Sequence, residues 1–275
     1  MDRYAVIGSP IGHSKSPLIH GMFASQTEQV LTYTSIEVPR EDAGDFIRGF
    51  FKEGGKGLNV TLPNKEEAFS AAERTTPRAA LARAVNTLFL DGDGRLVGDN
   101  TDGAGLLGDL SHNHGVSLAG RRLLMLGAGG ASRGVLAAIA DLDASERPAQ
   151  IVVANRTLAK AQALSEDLRE RLPVEPRSYD AASSQSFDLI INGTSTSLGG
   201  EMPPVTASML APGCCCYDMV YAAKPTSFMA WALANGAGTA IDGLGMLVGQ
   251  AAESFALWRG VRPDTQPVID ALRRG

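Results

Sequence analysis

A glycine-rich segment, G-A-G-G-A-S at residues 127–132, carries a clear chemical pattern. It follows an apolar run that predicts a strand and precedes a helical stretch, Arg133–Ala140. Glycines at such a junction permit a tight turn, let a diphosphate approach the backbone and leave the first N–H groups of the helix free to bind it. The segment therefore predicts a dinucleotide site, with an ordinary glycine-containing turn as the alternative.

The end of the next predicted strand indicates which dinucleotide would bind. Enzymes that use NAD place an acidic residue there, on the ribose hydroxyls, whereas this chain reads N-R-T-L-A-K at residues 155–160. A guanidinium at 156 can bind a 2′-phosphate through a planar fork, which favours NADP. The alternative is that Thr157 caps a helix and Arg156 is a solvated surface residue. A further loop, Asn192–Ser195, follows a later strand where the nicotinamide ribose would lie.

Polar residues in the N-terminal part could bind or activate a small substrate. Ser16 precedes Pro17 and is predicted to cap a helix, which leaves Ser14 free to help bind a carboxylate at the helix entrance. Lys65 lies at the start of another predicted helix, where the helix dipole disfavours a cation, so it indicates another purpose. Asn86 lies in an apolar strand and Asp102 in a polar cluster at a strand end, although a core amide and a helix cap are the simpler explanations.

The surrounding elements alternate between strand and helix, which predicts α/β sheets with parallel strands. The predicted strands of the first half are Tyr4–Gly8, Thr32–Val38, Gly57–Thr61 and Ala84–Leu90. Those of the second half are Arg121–Leu126, Ile151–Ala154, Asp188–Ile191, Cys215–Val220 and Thr239–Ile241. A last helix, from Met246 to about Trp258, is predicted to return to the first domain and leave a cleft. The expected domains are 1–101 with 242–275, and 102–241.

Composition narrows the class of protein. The chain has 275 residues, 44% of them hydrophobic, and a net charge of −5 without basic runs, which argues against nucleic-acid or anionic-membrane partners. No apolar run approaches the ~20 residues that span a bilayer, and the first residues do not resemble a signal peptide, so a cytoplasmic protein is expected.

The cysteines and histidines do not indicate a metal site. The three cysteines are consecutive, at 214–216, and are expected to be reduced core residues. The histidines at 112 and 114 are expected to be solvated, and no metal site is predicted.

Taken together, several motifs resemble the shikimate dehydrogenase family. The resemblance runs in order from residue 7 to about residue 260. Its motifs within that range are S-K-S-P, N-V-T-L-P-N-K, A-V-N-T, G-D-N-T-D-G, G-A-G-G-A-S, N-R-T and D-G-L-G-M-L-V-x-Q-A. The resemblance implies an N-terminal α/β substrate-binding domain, a C-terminal Rossmann-type NADP-binding domain, and reversible reduction of 3-dehydroshikimate to shikimate by NADPH. A homodimer is common in the family.

The resemblance also assigns residue roles. It implies that Lys65 and Asp102 are the catalytic pair. The implied substrate-binding residues are Ser14, Ser16, Thr61, Asn86, Asp102, Tyr221 and Gln250. The implied cofactor-binding residues are Gly127, Ala128, Gly129, Gly130, Ala131, Asn155, Arg156, Thr157, Lys160, Met219 and Gly243. Such a pair suits the reaction, because an ammonium can stabilise the charge that builds on a carbonyl oxygen and then donate a proton.

Three alternatives remain open. A quinate/shikimate dehydrogenase would accept a more hydroxylated ring and often prefer NAD, against which Arg156 and the two serines argue. A short-chain dehydrogenase would need Tyr-x-x-x-Lys, and Tyr221 and Lys224 are one residue too close for it. A non-catalytic NADP-binding module would leave Lys65 and Asp102 without a task.

Overall fold

The computed structural model describes residues 1–194, 196 and 201–274, so Ser195 of the predicted ribose loop lies outside the described residues. The chain divides into two compact units: Met1–Gly105 with Leu247–Gly275, and Leu106–Met246. Asp102, which the predicted boundaries assign to the second domain, belongs to the first unit.

The α-helices are α1 (Ser16–Gln26), α2 (Ala43–Lys52), α3 (Lys65–Ala71), α4 (Pro77–Ala82), α5 (Asp102–Gly108), α6 (Gly130–Ala140), α7 (Leu158–Leu168), α8 (Tyr179–Ala182), α9 (Ser227–Ala234), α10 (Leu244–Arg259) and α11 (Gln266–Arg274).

The first unit contains a six-stranded sheet in the order β2-β1-β3-β5-β6-β4. Its strands are β1 (Asp2–Gly8), β2 (Leu31–Glu37), β3 (Gly57–Val60), β4 (Arg74–Thr75), β5 (Thr87–Leu90) and β6 (Leu96–Asp99). The predicted parallel pairing is confirmed for β1 with β2 and β3, but β5 runs antiparallel to both β3 and β6. The reason is local: a short turn, in which the Asp91 N–H donates to the Arg95 carbonyl, joins β5 and β6 as a hairpin.

One predicted strand of this sheet is too long. The pattern predicts a strand over Ala84–Leu90, whereas β5 begins at Thr87. The N–H of Val85 donates to the carbonyl of Lys65, at the start of α3, and so is not available to a neighbouring strand. Asn86 therefore lies at the entrance of the strand rather than inside it.

Apolar helix faces cover this sheet. Ala43, Ile47, Phe50 and Phe51 of α2 are buried and join a core with Ala5 and Ile7 of β1. The C-terminal part of α10 packs in the same unit: the Trp258 indole N–H donates to the Leu88 carbonyl, 3.2 Å away. Helix α10, which the sequence analysis predicts from Met246 to about Trp258, thus returns to the strands that carry the N-terminal polar motifs.

The second unit contains a parallel sheet in the order β12-β11-β10-β7-β8-β9, which is the doubly wound order of a dinucleotide-binding fold. Its strands are β7 (Arg122–Leu126), β8 (Gln150–Ala154), β9 (Glu175–Arg177), β10 (Phe187–Asn192), β11 (Leu210–Asp218) and β12 (Thr239–Ile241). The central strands are almost wholly buried, as expected for a sheet covered on both faces. The strand order reverses between β7 and β10, where such folds bind ligands.

The predicted core cysteines and solvated histidines lie where the sequence analysis expects them. Cys214, Cys215 and Cys216 are buried and unpaired on β11, which confirms that they are core residues. His112 and His114 are exposed. Among the helices of the described residues, none combines the length and apolar character that crossing a membrane requires.

Candidate active site

Lys65 and Asp102 form a close ion pair in the first unit. The Lys65 ammonium lies 2.5 Å from Oδ2 of Asp102, and the two side chains are only 13% and 7% exposed. Lys65 is the first residue of α3 and Asp102 is the first residue of α5. The two side chains are 37 residues apart in the sequence but meet because the two helices start close together. A cation at a helix start is unusual, and the carboxylate opposite it explains how this one is accommodated.

Backbone contacts hold the turn that carries Lys65. After β3, the Thr61 N–H donates to the Ile7 carbonyl and the Asn64 N–H donates to the Thr61 carbonyl, both at 2.9 Å. The buried Asn64 side chain donates to the Val38 carbonyl at 2.8 Å. These bonds tie the turn to β1 and to the segment after β2, so Lys65 begins α3 from a fixed position.

The Asn86 amide orients the other oxygen of the Asp102 carboxylate. Its oxygen accepts the Thr101 N–H at 2.9 Å, and a backbone N–H can only donate. The NH₂ group must therefore face the other way, where it donates to Oδ1 of Asp102 at 2.8 Å. The same group lies 3.4 Å from the Gln250 side-chain oxygen. Asn86 and Gln250 thus join the pair in one polar cluster.

The loop before Asp102 is anchored by a buried ion pair. Asp99 is 1% exposed, and its carboxylate accepts from Arg78 Nε and Nη2 at 2.7 and 2.5 Å and from the Thr76 hydroxyl at 2.5 Å. Burial acts to raise the pKa of this carboxyl, but the hydrogen bonds and charge of Arg78, with help from Thr76, hold the pKa below its usual value. Asp99 is therefore ionised at neutral pH and holds the loop in place.

This anchor predicts a loss of stability in acid. A carboxyl with a lowered folded-state pKa stabilises the fold above its ordinary pKa, and that contribution is lost as the pH falls through the folded value. Asp99→Asn should cost about 3 kcal/mol in the free energy of unfolding at neutral pH, because it removes the buried carboxylate charge that Arg78 and Thr76 bind. The difference from wild type should shrink as the pH falls from about 7 to about 3.

Urea unfolding of both proteins across that range measures the effect. Asp93→Asn is the matched control, because Asp93 lies in the adjacent β5–β6 turn with a 70% exposed side chain and should matter little. A difference between wild type and Asp99→Asn that stays constant or widens on acidification would contradict the assignment.

The two N-terminal serines occupy different positions from those expected. Helix α1 has Lys15 as its N-cap residue, and Ser16 is already its first helical residue, so the prediction that Ser16 caps this helix is wrong. The side chain that binds a backbone N–H at the start of α1 is that of Ser14, whose hydroxyl accepts the Ser16 N–H at 3.3 Å. The physical reason is that Lys15 already has helical dihedral angles, which carries Ser16 inward to a buried position.

The glycine-rich turn in the second unit has the shape that a diphosphate needs. Gly127 has a φ of 95°, and a Cβ there would come within 3.1 Å of Thr194 and 3.2 Å of the Gly193 carbonyl, so only glycine fits. A Cβ at Gly129 would meet no heavy atom of the described residues within 4 Å. Helix α6 starts at Gly130 without a side-chain cap, which leaves its first N–H groups for a ligand. The residues present therefore fit a dinucleotide diphosphate.

The end of β8 presents polar groups to solvent. Arg156, Thr157 and Lys160 are exposed, and within the described residues neither cation takes part in an ion pair. Thr157 is the N-cap residue of α7, as one interpretation of the sequence has it, although its side chain makes no capping bond. The Asn155 side chain donates to the Thr157 carbonyl at 2.9 Å, which shapes the turn.

Met219 and Gly243 lie side by side at the same edge of this sheet. Gly243 packs so closely on Met219 that any side chain at position 243 would overlap the Met219 carbonyl. Tyr221 follows two residues later and is half-buried, and burial raises the pKa of its hydroxyl. Within the described residues, no group of three or more His, Cys, Asp or Glu side chains is arranged to hold a metal ion.

Several buried polar residues around these groups have no role assigned from the sequence, although Asn59, Thr87, Thr101 and Asn192 lie within segments already named. Asn59, Thr87, Thr101 and Ser254 are all buried and hydrogen-bonded near Asn86. In the second unit the Asn192 amide donates to the buried Asp218 carboxylate at 3.2 Å, tying the ends of β10 and β11 together. For Ser254 and Asp218, which lie outside those segments, the available signal is position: Ser254 follows Gln250 by one helical turn, and Asp218 ends a strand.

Comparison with known proteins covers most of the chain. Residues 6–88 match the shikimate dehydrogenase substrate binding domain, residues 109–209 match shikimate / quinate 5-dehydrogenase, and residues 243–273 match the shikimate 5′-dehydrogenase C-terminal domain. A shikimate dehydrogenase (NADP(+)) of Alkalilimnicola ehrlichii is 55% identical over 99% of this chain and 98% of its own length.

Solved structures agree with these matches. An Ael1 enzyme of Pseudomonas putida superposes with a TM-score of 0.89 at 47% identity, covering 99% of this chain and 98% of its own. Shikimate 5-dehydrogenase of Thermus thermophilus, solved in complex with NADP(H) and shikimate, superposes with a TM-score of 0.85 at 33% identity, covering 100% and 99%. The sequence motifs, the two sheets and these matches lead to one conclusion: the chain belongs to the shikimate dehydrogenase family.

Proposed function

We propose that this protein catalyses the reversible, NADPH-dependent reduction of 3-dehydroshikimate to shikimate. The observation that carries the proposal is the Lys65–Asp102 pair, a nearly buried ammonium and carboxylate in contact, with the Asn86 amide on the second carboxylate oxygen. The family supports the substrate, since relatives more than 50% identical over almost the whole chain are shikimate dehydrogenases that use NADP.

Lys65 supplies the proton in this proposal. Bound NADPH supplies the hydride that reduces a carbonyl carbon. As negative charge builds on the carbonyl oxygen, the Lys65 ammonium stabilises it and transfers a proton to it. In the opposite direction, neutral Lys65 accepts the proton of the substrate hydroxyl. Asp102 holds the ammonium in place and binds a ring hydroxyl.

The remaining polar residues that the resemblance singles out bind the substrate. Ser14 and Ser16, at the entrance of α1, bind its carboxylate, with the helix dipole assisting. The ring hydroxyls are bound by Thr61, Asn86, Asp102, Tyr221 and Gln250. Of these, Asn86, Asp102 and Gln250 already belong to one hydrogen-bonded cluster, which supports their shared task.

The second unit binds the cofactor. The glycine turn and the start of α6, residues 127–131, hold the diphosphate, and Met219 and Gly243 line the nicotinamide. Asn155, Arg156, Thr157 and Lys160 bind the adenosine ribose and its 2′-phosphate, for which the exposed guanidinium and the lack of a carboxylate at this strand end are the support. In domain terms, we propose that residues 1–101 with 242–275 bind substrate and residues 102–241 bind NADP, with Asp102, the first residue of the second range, grouped with the substrate-binding unit. The substrate binding domain matched at residues 6–88 supports the first assignment.

Comparing two substrates with two cofactors tests this proposal. With purified protein, oxidation of shikimate with NADP⁺ should have the highest kcat/KM among the four combinations of shikimate or quinate with NADP⁺ or NAD⁺. A protein that used quinate and NAD⁺ as well or better would be a quinate/shikimate dehydrogenase. A folded protein that bound NADP⁺ but oxidised neither substrate would be a non-catalytic module.

We further propose a cytoplasmic homodimer. Three free, buried cysteines agree with a reducing compartment, and the dimer rests on the resemblance to the family. Light scattering after size-exclusion chromatography measures the mass in solution and would contradict the dimer if it returned that of one chain.

A further inference from the structure

A group of polar side chains near Asn86 has no role so far: the buried Asn59, Thr87 and Ser254, and the half-buried Tyr33. Thr87 and Ser254 are 0% exposed and Asn59 is 5% exposed. Buried hydroxyls and amides cost free energy unless each finds a partner. Their contacts therefore decide what the group does.

The Asn59 amide has a single possible orientation. Its NH₂ group donates to the Asn86 backbone carbonyl at 3.2 Å, and a carbonyl can only accept. Its oxygen consequently faces the Tyr33 hydroxyl, which donates to it at 2.7 Å. Burial raises the pKa of Tyr33 well above its usual value, opposed in part by a hydrogen bond with Ser16, so the phenol keeps its proton. The Asn59 NH₂ group also donates to the Ser254 hydroxyl at 2.9 Å.

The Ser254 and Thr87 hydroxyls continue this row of hydrogen bonds. Ser254 and Thr87 are 2.7 Å apart, the shortest contact that Ser254 makes. The other acceptor near Ser254 is the Gln250 carbonyl, also 3.0 Å from the Ser254 hydroxyl. That carbonyl already accepts the Thr101 hydroxyl at 3.0 Å and, as part of α10, the backbone N–H four residues on, which occupies both of its lone pairs. The Ser254 proton is therefore available for Thr87, and the Thr87 proton for the Asn86 side-chain oxygen, 2.9 Å away.

With these assignments, every donor in the row points in the same direction. Tyr33 donates to Asn59, Asn59 to Ser254, and Ser254 to Thr87. Thr87 donates to Asn86, and Asn86 donates to the Asp102 carboxylate. Hydrogen bonds aligned head to tail polarise one another, which strengthens the last one. In this arrangement the last one is the bond to the charged group of the ion pair.

We propose that Thr87 and Ser254 are positioning residues, whose hydroxyls relay a one-way row of hydrogen bonds that fixes the Asn86 amide and aims its N–H at the Asp102 carboxylate. Neither residue touches substrate. Both act through Asn86, and the inference rests on the proposed function, because its effect is read through turnover of shikimate.

Three variants of Thr87 and Ser254 test the relay. Thr87→Val keeps the side-chain shape but removes the hydroxyl, and should lower kcat about 3- to 10-fold, the worth of one ordinary hydrogen bond. Thr87→Ser keeps the hydroxyl and should stay within about twofold of wild type. Ser254→Ala interrupts the row one step earlier, should lower kcat in the same way, and replaces Thr87→Val as the test if that variant fails to fold.

A double-mutant cycle separates positioning from a purely structural role. In an Asp102→Asn background there is no carboxylate charge to orient, so Thr87→Val should cause little further loss of kcat. The matched control is Thr27→Val, which removes a hydroxyl that donates to the Phe23 carbonyl at 2.7 Å elsewhere in the unit and should not change kcat. Thermal unfolding of each variant shows whether it is folded.

The outcomes distinguish the two proposals. If wild type does not oxidise shikimate, the proposed function fails, and this inference fails with it. If wild type is active but Thr87→Val matches it, or Thr87→Val and Thr87→Ser lose equally, or the loss is undiminished in the Asp102→Asn background, the relay alone is wrong.

Discussion

Lys65→Ala is expected to lower kcat for shikimate oxidation by about 10²- to 10⁴-fold, the range that proton transfer by a positioned side chain contributes. KM for shikimate should change far less, because the proposed carboxylate contacts of Ser14 and Ser16 and the ring contacts remain. Steady-state kinetics at saturating NADP⁺ separates the two constants.

A matched control guards this prediction against loss of folding. Removing Lys65 leaves the Asp102 carboxylate, 7% exposed, without its cation, so thermal unfolding of the variant must be measured alongside its kinetics. Lys52→Ala changes an exposed lysine at the end of α2 in the same unit and should leave both constants unaltered. Near-normal turnover of folded Lys65→Ala would remove Lys65 from the chemistry.

Arg156→Ala should raise KM for NADP⁺ by about 10- to 100-fold, the worth of charge-assisted hydrogen bonds to a phosphate. KM for NAD⁺ should hardly change, because NAD⁺ lacks the 2′-phosphate. The preference between the cofactors would therefore narrow, which parallel titration of both cofactors measures.

Arg169→Ala provides the control for this change. Arg169 follows α7, the helix that begins after Arg156, and its exposed side chain pairs with Glu166. Its removal also takes away one positive charge from this unit but should not alter either KM. An equal rise of KM for both cofactors in Arg156→Ala would mean that Arg156 contacts a part that NADP⁺ and NAD⁺ share.

Features encoded within a few residues could be predicted from the sequence. Lys65 at a helix start, the Gly127 turn after a buried strand and Arg156 at the end of β8 are all local patterns, and the structure has each of them there. The cap of α1 was nevertheless misassigned by one residue. Serine followed by proline fits two positions equally well, and the backbone conformation of Lys15 decides between them.

Features that depend on distant residues could not be predicted. The hydrogen bond between Asn59 and Ser254 joins residues that are 195 positions apart, and no residue spacing near Asn59 or near Ser254 indicates it. Edge strands such as Arg74–Thr75 are too short to show an alternating pattern. The antiparallel direction of β5 follows from the short turn to β6, which does not stand out in a sequence that otherwise alternates between strand and helix. Helix α9 does carry a local signal, a Thr226 cap whose hydroxyl accepts the Met229 N–H, although the sequence analysis predicts no helix there.

The most direct measurement of the central claim follows absorbance in the reduced-nicotinamide band after purified protein, NADP⁺ and shikimate are mixed. If Lys65 and Asp102 form the proton-transferring pair of a shikimate dehydrogenase, absorbance should rise at a rate proportional to protein concentration with wild type and rise hardly at all with folded Lys65→Ala. No rise with folded, NADP⁺-binding wild type, or the same rise with both proteins, would contradict it.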